Sequence, residues 1–315
     1  MNIQKNDTQQ NEEQKQQETT FCGYVAVIGR ANVGKSSLLN KLLNNKIAIV
    51  SPKPQTTRNK ILCINTKENT QLIYMDTPGI QQDVKSIMNK AMNKMSLRTI
   101  KDADVIVLLV EVIKFISEDQ LILEQIANID KPVILAINKV DLLGNKDELL
   151  PIMERMSKLM NFTDVVPISV TNNTNLDKLE NILMNLMPKG PYLFDAKTTT
   201  DASDAFMCAE LIREQLMYAL DEEVPYSCAV ITEHIKYTDI RNFVSCIIWV
   251  ERDGQKAIVI GRNGFKLTQI GGKARNALES FYNKKVTLKL QIKVKRNWVK
   301  QRSVLKRLDM ICDFN

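Results

Sequence analysis

The sequence predicts an α/β doubly wound sheet followed by a smaller α+β domain, and three observations carry that prediction. Short apolar runs alternate with amphipathic stretches from Phe21 to about Met187, the pattern of strands linked by crossover helices. A helix-breaking Met187-Pro188-Lys189-Gly190-Pro191 and a polar Lys197–Asp204 then interrupt the alternation. Beyond them the charge changes character: between Lys256 and Arg307, fifteen Lys and Arg face one acid, Glu279.

The apolar runs of the first domain are Tyr24–Ile28, Ile61–Ile64, Leu72–Met75, Val105–Val110, Val133–Ile137 and Val165–Ile168, with a helix expected over Ser37–Leu43. In the second domain, Phe206, Ala209, Ile212, Leu216 and Leu220 share one face of a helix over Ala205–Leu220. Strand-like segments follow at Ser227–Thr232, Val244–Val250 and Lys256–Ile260, the last of which also reads as the opening of a helix pair. A Gly-bounded loop, a helix through Phe281, a strand over Val286–Val294 and a basic tail complete the chain. The expected division is a disordered polar arm (1–20), a first domain (21–187), a linker (188–204), a second domain (205–300) and a tail (301–315).

Length and composition exclude several classes. At 315 residues the chain has room for about two domains. No apolar stretch approaches the ~18 residues of a membrane span, and Met1–Thr20 is too polar for a leader peptide. A cytosolic protein is expected. Six cysteines without a CxxC pair, and a single histidine, leave too few ligands for zinc. The thiols are expected to be reduced and packed as small apolar groups, and His234 to lie on the surface. The net charge of +7 combines +14 in the Lys256–Arg307 segment with −7 elsewhere, which points the C-terminal domain at a polyanion.

Gly29-Arg30-Ala31-Asn32-Val33-Gly34-Lys35-Ser36 fits GxxxxGK[ST] between a strand and a helix. Its backbone N–H groups and the helix N-terminus, which begins near Ser37, would cradle phosphates. Lys35 would neutralise the β/γ oxygens, and the Ser36 hydroxyl would ligate Mg²⁺. Asp76-Thr77-Pro78-Gly79 follows the third strand, placing Asp76 to hold Mg²⁺ through water and the Gly79 N–H to sense a γ-phosphate. Asn138-Lys139-Val140-Asp141 reads the base. A carboxylate accepts from both N1–H and the 2-amino group of guanine, whereas adenine leaves it unpaired. Ser169-Val170-Thr171 is placed to meet the guanine O6 through a backbone N–H. The loop Ser51–Arg58, with two prolines, reads as a switch in which one threonine hydroxyl closes on Mg²⁺.

Ile80 occupies the position after Gly79 where many GTPases carry a water-orienting Gln. Slow intrinsic hydrolysis is therefore expected, with no general base assigned among the side chains. Asn32 offers an oxygen beside the phosphates to which K⁺ could bring a finger's charge.

Gly261-Arg262-Asn263-Gly264 lies between an apolar run and an amphipathic helix that carries Lys266, Lys273 and Arg275. A GxxG loop in this setting is how a KH domain clamps a single-stranded backbone.

These motifs together, GRANVGKSSLLNKLLN, QTTRNKI, YMDTPGI, LAINKVD, VPISV and VIGRNGFKLTQIGGKAR, resemble the Era family of bacterial GTPases from about Phe21 to the C-terminus. The resemblance implies a P-loop GTPase with a type II KH domain that binds small-subunit (16S) rRNA near its 3′ end and assists 30S assembly. It also implies a cytoplasmic protein with some contact at the inner face of the membrane, Thr57 as the switch Mg²⁺ ligand, and Asn32 as a K⁺-linked residue. A monomer is expected. The sequence departs from the family pattern at Ala31, Ser37, Val170 and Arg262-Asn263, and the larger Val170 is expected to crowd the O6 contact. The competing reading is a membrane-surface regulatory GTPase, coupling growth or division to GTP state, whose basic segment meets anionic lipid.

Overall fold

The computed structural model describes residues 19–80 and 87–308. The expected arm up to residue 18 and the end of the expected tail, 309–315 with Cys312, lie outside the described residues.

The first domain runs β1 (Phe21–Ile28), α1 (Lys35–Leu42), β2 (Ile61–Lys67), β3 (Thr70–Asp76), α2 (Ile87–Asp102), β4 (Val105–Glu111), α3 (Ser117–Ile126), β5 (Val133–Asn138), α4 (Leu149–Ser157), β6 (Asp164–Pro167) and α5 (Leu176–Asn185). The sheet order is β2-β3-β1-β4-β5-β6. Only β2 is antiparallel to its neighbour; the other pairings are parallel. Parallel strands with helices on both faces must be apolar on both, and β4 shows why. Val105, Val107 and Leu109 enter one core while Ile106, Leu108 and Val110 enter the other. Every expected strand is present, and β3, β4 and β5 each run one residue further, to the polar Asp76, Glu111 and Asn138. Those ends lie at the carboxyl edge of the sheet, where α/β folds bind ligands.

The second domain comprises α6 (Asp204–Ala219), β7 (Ala229–Lys236), β8 (Arg241–Val250), α7 (Asp253–Ile260), α8 (Phe265–Tyr282), β9 (Lys285–Val294) and α9 (Arg302–Arg307). Its sheet has the order β7-β8-β9, with β8 antiparallel to β7 and parallel to β9. Ile212 and Leu216 of α6 and Ile270, Ala274 and Leu278 of α8 cover Val244, Cys246 and Ile248 of β8. The five cysteines among the described residues are free and buried, and His234 is exposed.

Three features add to the sequence reading. Of the two readings open for Lys256–Ile260, the helical one holds, because the Gln255 side chain accepts from the Glu251 and Arg252 N–H groups (2.9 and 3.2 Å) and caps α7. The polar linker is bound to the first domain. The Thr199 carbonyl accepts from Ile64 N–H (2.9 Å) and the Asp201 carboxylate from Leu62 N–H (3.1 Å), so the linker covers the open edge of β2. Finally, the tail carries α9, whose Val304 and Leu305 are buried with Trp298 and Trp249 against Met88 and Met92 of α2.

Candidate nucleotide site and nucleic-acid loop

The loop between β1 and α1 is shaped by its glycines. Gly29 and Gly34 have φ of 155° and 109°, and side chains there would collide with the Leu109 carbonyl oxygen (2.5 Å) and the Asn138 Nδ2 (2.6 Å). The Asn138 amide in turn donates to the Val33 carbonyl (2.8 Å) and accepts from Val170 N–H (3.2 Å). It stitches the phosphate loop to both base-reading loops, a structural role beyond the one read from its motif. Asn32 also stands at positive φ and donates to the Pro52 carbonyl (2.8 Å).

Lys35 is buried, with Nζ donating to the carbonyls of Gly29 (3.0 Å) and Arg30 (2.8 Å). Burial pulls its pKa down to about 8, with Asp76 opposing. Burial likewise pushes Asp76 up to about 6, against the Lys35 charge and the hydroxyls of Ser36 and Thr57. Three sequence-predicted metal groups meet here. Ser36 Oγ lies 2.9 Å from both Asp76 Oδ2 and Thr57 Oγ1, and Thr57 donates to the same carboxylate at 3.4 Å. Asp76 Oδ1 is buried with no hydrogen-bond partner. A compact, all-oxygen set with an unpaired carboxylate oxygen fits Mg²⁺.

Thr77 donates to the Val27 carbonyl (3.1 Å), and Ser96 of α2 donates to the Pro78 carbonyl (2.7 Å). Gly79 abuts the phosphate loop so closely that a Cβ would lie 2.8 Å from Ala31 N. Ile80 packs against the core that holds Ile28 and Met75. Arg30 contributes backbone to the loop, but its side chain is bound to Glu111 (2.5 Å) and Asp119 (3.2 Å), away from any role as a finger. Glu111 also pairs with Lys139 (3.2 Å). Burial works upward on Glu111, but the hydrogen bonds from Arg30 and Lys139 hold its carboxyl below the usual range.

Asn32, Lys35, Ser36, Thr57, Gly79, Asn138 and Lys139 line a cavity of about 700 Å³ with Ser37, Asp141, Leu142, Val170 and Thr171, within the 300–1,000 Å³ typical of small-molecule sites. Val140 starts a short helical turn, and Ser169 is buried with Oγ accepting from Asn172 N–H (3.1 Å). Two contributors carry no local sequence signal: Glu111, a lone strand-end acid that holds Arg30 and Lys139, and Tyr218 of α6, which reaches the cavity from the second domain.

The other candidate loop joins α7 to α8. Gly261 and Gly264 have φ of 72° and 77°, and Asn263 stands at 49°. Arg262, Asn263, Lys273 and Arg275 are exposed and Lys266 is partly so. Ile258 and Phe265 are exposed apolar residues flanking the loop. Cationic, glycine-opened and edged with apolar side chains, it is suited to a phosphate backbone and its bases.

Comparison with known proteins finds a match over each domain. A model described as 50S ribosome-binding GTPase matches residues 24–139, and a KH-domain model matches residues 223–299. GTPase Era of Coxiella burnetii (strain Dugway 5J108-111) is 43% identical over 289 residues, 92% of this chain and 98% of that protein. GTPase Era of Actinobacillus pleuropneumoniae serotype 5b (strain L20) is 41% identical over 297 residues, covering 94% and 98%. The crystal structure of Era in complex with MgGDPNP and nucleotides 1506–1542 of 16S ribosomal RNA matches with a TM-score of 0.89 at 34% identity, over 93% of this chain and 100% of that one. A point variant of Aquifex aeolicus Era bound to GDP and aluminium fluoride matches at the same TM-score. With a whole-length fold match and identity above 40% over nine-tenths of its residues, the chain belongs to the Era family of GTPases.

Proposed function

We propose that the chain is a GTP-hydrolysing switch that binds small-subunit rRNA near its 3′ end through its KH domain and assists 30S assembly, working as a monomer in the cytoplasm. The observation that carries the reading is the meeting of Ser36, Thr57 and Asp76 beside the phosphate loop, in a chain that also presents a GxxG loop on a basic domain.

In the hydrolytic reading, the backbone of Gly29–Ser36 and Lys35 Nζ hold the β- and γ-phosphates, and Asp141 and the Ser169-Val170 backbone hold guanine. Mg²⁺, when bound, supplies the charge that offsets the β/γ oxygens. Ser36 and Thr57 are placed to hold it directly and Asp76 through water. The Ile80 side chain has no polar atom to orient water, which supports slow intrinsic turnover. The Asn32 amide and the Pro52 carbonyl face each other at 2.8 Å. With its amide turned, Asn32 would pair two oxygens for K⁺ at the edge of the phosphates. Turnover faster in K⁺ than in Na⁺ is expected, and equal rates would contradict that part.

No helix among the described residues is long and apolar enough to cross a membrane. Peripheral contact with anionic lipid would use the same basic segment as RNA, but would not need its glycines. The test is equilibrium binding of the wild-type chain and a Gly261→Asp, Gly264→Asp variant to a 3′-end 16S rRNA fragment and to anionic vesicles. The RNA reading expects tight RNA binding that the double change abolishes, with vesicle binding only dented. Absence of RNA binding by the wild type would overturn it in favour of the membrane-surface reading.

A further inference from the structure

The switch loop is pinned to the second domain on both sides of its metal-binding threonine. Thr57 faces Ser36 and Asp76. The next residue, Arg58, points the other way and is 1% exposed. Its guanidinium donates to the carbonyls of Cys228 (2.8 Å), Pro225 (3.0 Å) and Tyr226 (3.2 Å) in the segment that leads into β7. On the other side, Arg213 of α6 donates to the Thr56 carbonyl, and Glu210 braces Arg213 through two hydrogen bonds (2.7 and 2.6 Å). Further back, Val50 N–H donates to Glu214 (3.0 Å), and Lys53 binds Asp221 (3.0 Å) and the Leu220 carbonyl.

Adjacent Cα atoms are only ~3.8 Å apart, so Thr57 cannot shift toward a γ-phosphate without pulling on Arg58. The Arg58 seat is also incompletely satisfied. Arg58 Nε and Arg213 Nη1 are buried without hydrogen-bond partners, and burial first, then the like charge of Arg213, weighs against the Arg58 charge. A buried cation held by carbonyls alone, beside a second cation, is costly to keep in place. Such a contact can be made in one nucleotide state and loosened in another.

We propose that Arg58 is a positioning residue that couples the Mg²⁺-binding Thr57 to the Pro225–Cys228 segment, so that closure of the switch on a γ-phosphate and the setting of the KH domain bias each other. The proposal rests on the GTPase reading above. It also predicts a spectroscopic signature. Both tryptophans of the chain flank this segment: Trp298 donates from Nε1 to the Ser227 carbonyl (3.0 Å), and Trp249 pairs across the sheet with Ala229.

The test uses the full chain with Mg²⁺, measuring affinity for GDP and for a non-hydrolysable GTP analogue together with tryptophan emission, in wild type, R58A and R58K. The expectation is that the wild type changes emission between the two nucleotides. R58A should lose that change and bind the analogue about tenfold more weakly, with GDP affinity much less affected. R58K, which keeps the buried charge and bulk, should recover part of both and guards against a result due to misfolding. An R58A protein with the wild-type analogue-to-GDP ratio and emission change would overturn the proposal, as would wild-type emission indifferent to nucleotide. Wild-type protein that binds neither nucleotide would instead overturn the GTPase reading, and this proposal with it.

Discussion

The two phosphate-facing loops both use glycines at positive φ, yet they are built in opposite ways. In the nucleotide loop, Gly29 and Gly34 are walled in: a Cβ would strike the Leu109 carbonyl or the Asn138 amide at 2.5–2.6 Å. In the KH loop, Gly264 has nothing within 4 Å, and only Gly261 is crowded, by Lys266. The first loop is moulded by the core of its own domain. The second is left open, and in the proposed reading its contacts would come from RNA. The lesson is that one site is preorganised by packing and the other by exposure and charge, so substitutions should spread differently through the protein.

The largest expected effect is at the base-reading end. Asp141→Asn should cut discrimination of guanine over adenine nucleotides by about 10³–10⁴-fold, since the acid's two acceptors are what adenine cannot satisfy. Competition titration with GTP and ATP measures it. Next comes Gly34→Val, where strained φ and a clash with Asn138 together should cost about 2–4 kcal/mol. Lower Tm and loss of nucleotide binding should appear together, because loop and core are one unit. At the open loop, removing Lys273 and Arg275 should leave Tm and nucleotide affinity nearly unchanged. The slope of log affinity for single-stranded RNA against log salt should fall by about 0.7 per lost phosphate contact. Smallest is Gly264→Ala, which meets no neighbour and pays only for positive φ, about 1 kcal/mol. If Gly264→Ala destabilised the fold as much as Gly34→Val, the contrast between the loops would break.

The parts legible in the sequence were those written in contiguous residues. The phosphate loop, Asp76–Gly79 and Asn138–Asp141 each sit at the end of an apolar strand whose period and flanks are local, and the GxxG loop declares itself through charge and glycine. What escaped depends on partners far away in the chain. Gln255 decides helix over strand at α7 by reaching two N–H groups, a choice invisible to periodicity. The linker's pairing with β2 and the burial of Val304 and Leu305 in an otherwise basic tail come from contacts across most of the chain. Arg58 was visible as part of the switch loop, but its acceptors are backbone carbonyls, which leave no mark on sequence.

In the proposed reading, one chain joins a guanine-nucleotide switch to an RNA clamp so that each influences the other. Equilibrium binding of the full chain to a 3′-end 16S rRNA fragment at fixed salt, with GDP and with a non-hydrolysable GTP analogue, tests it most directly. Several-fold tighter RNA binding with the analogue is expected. Equal affinity in the two states would contradict the coupling.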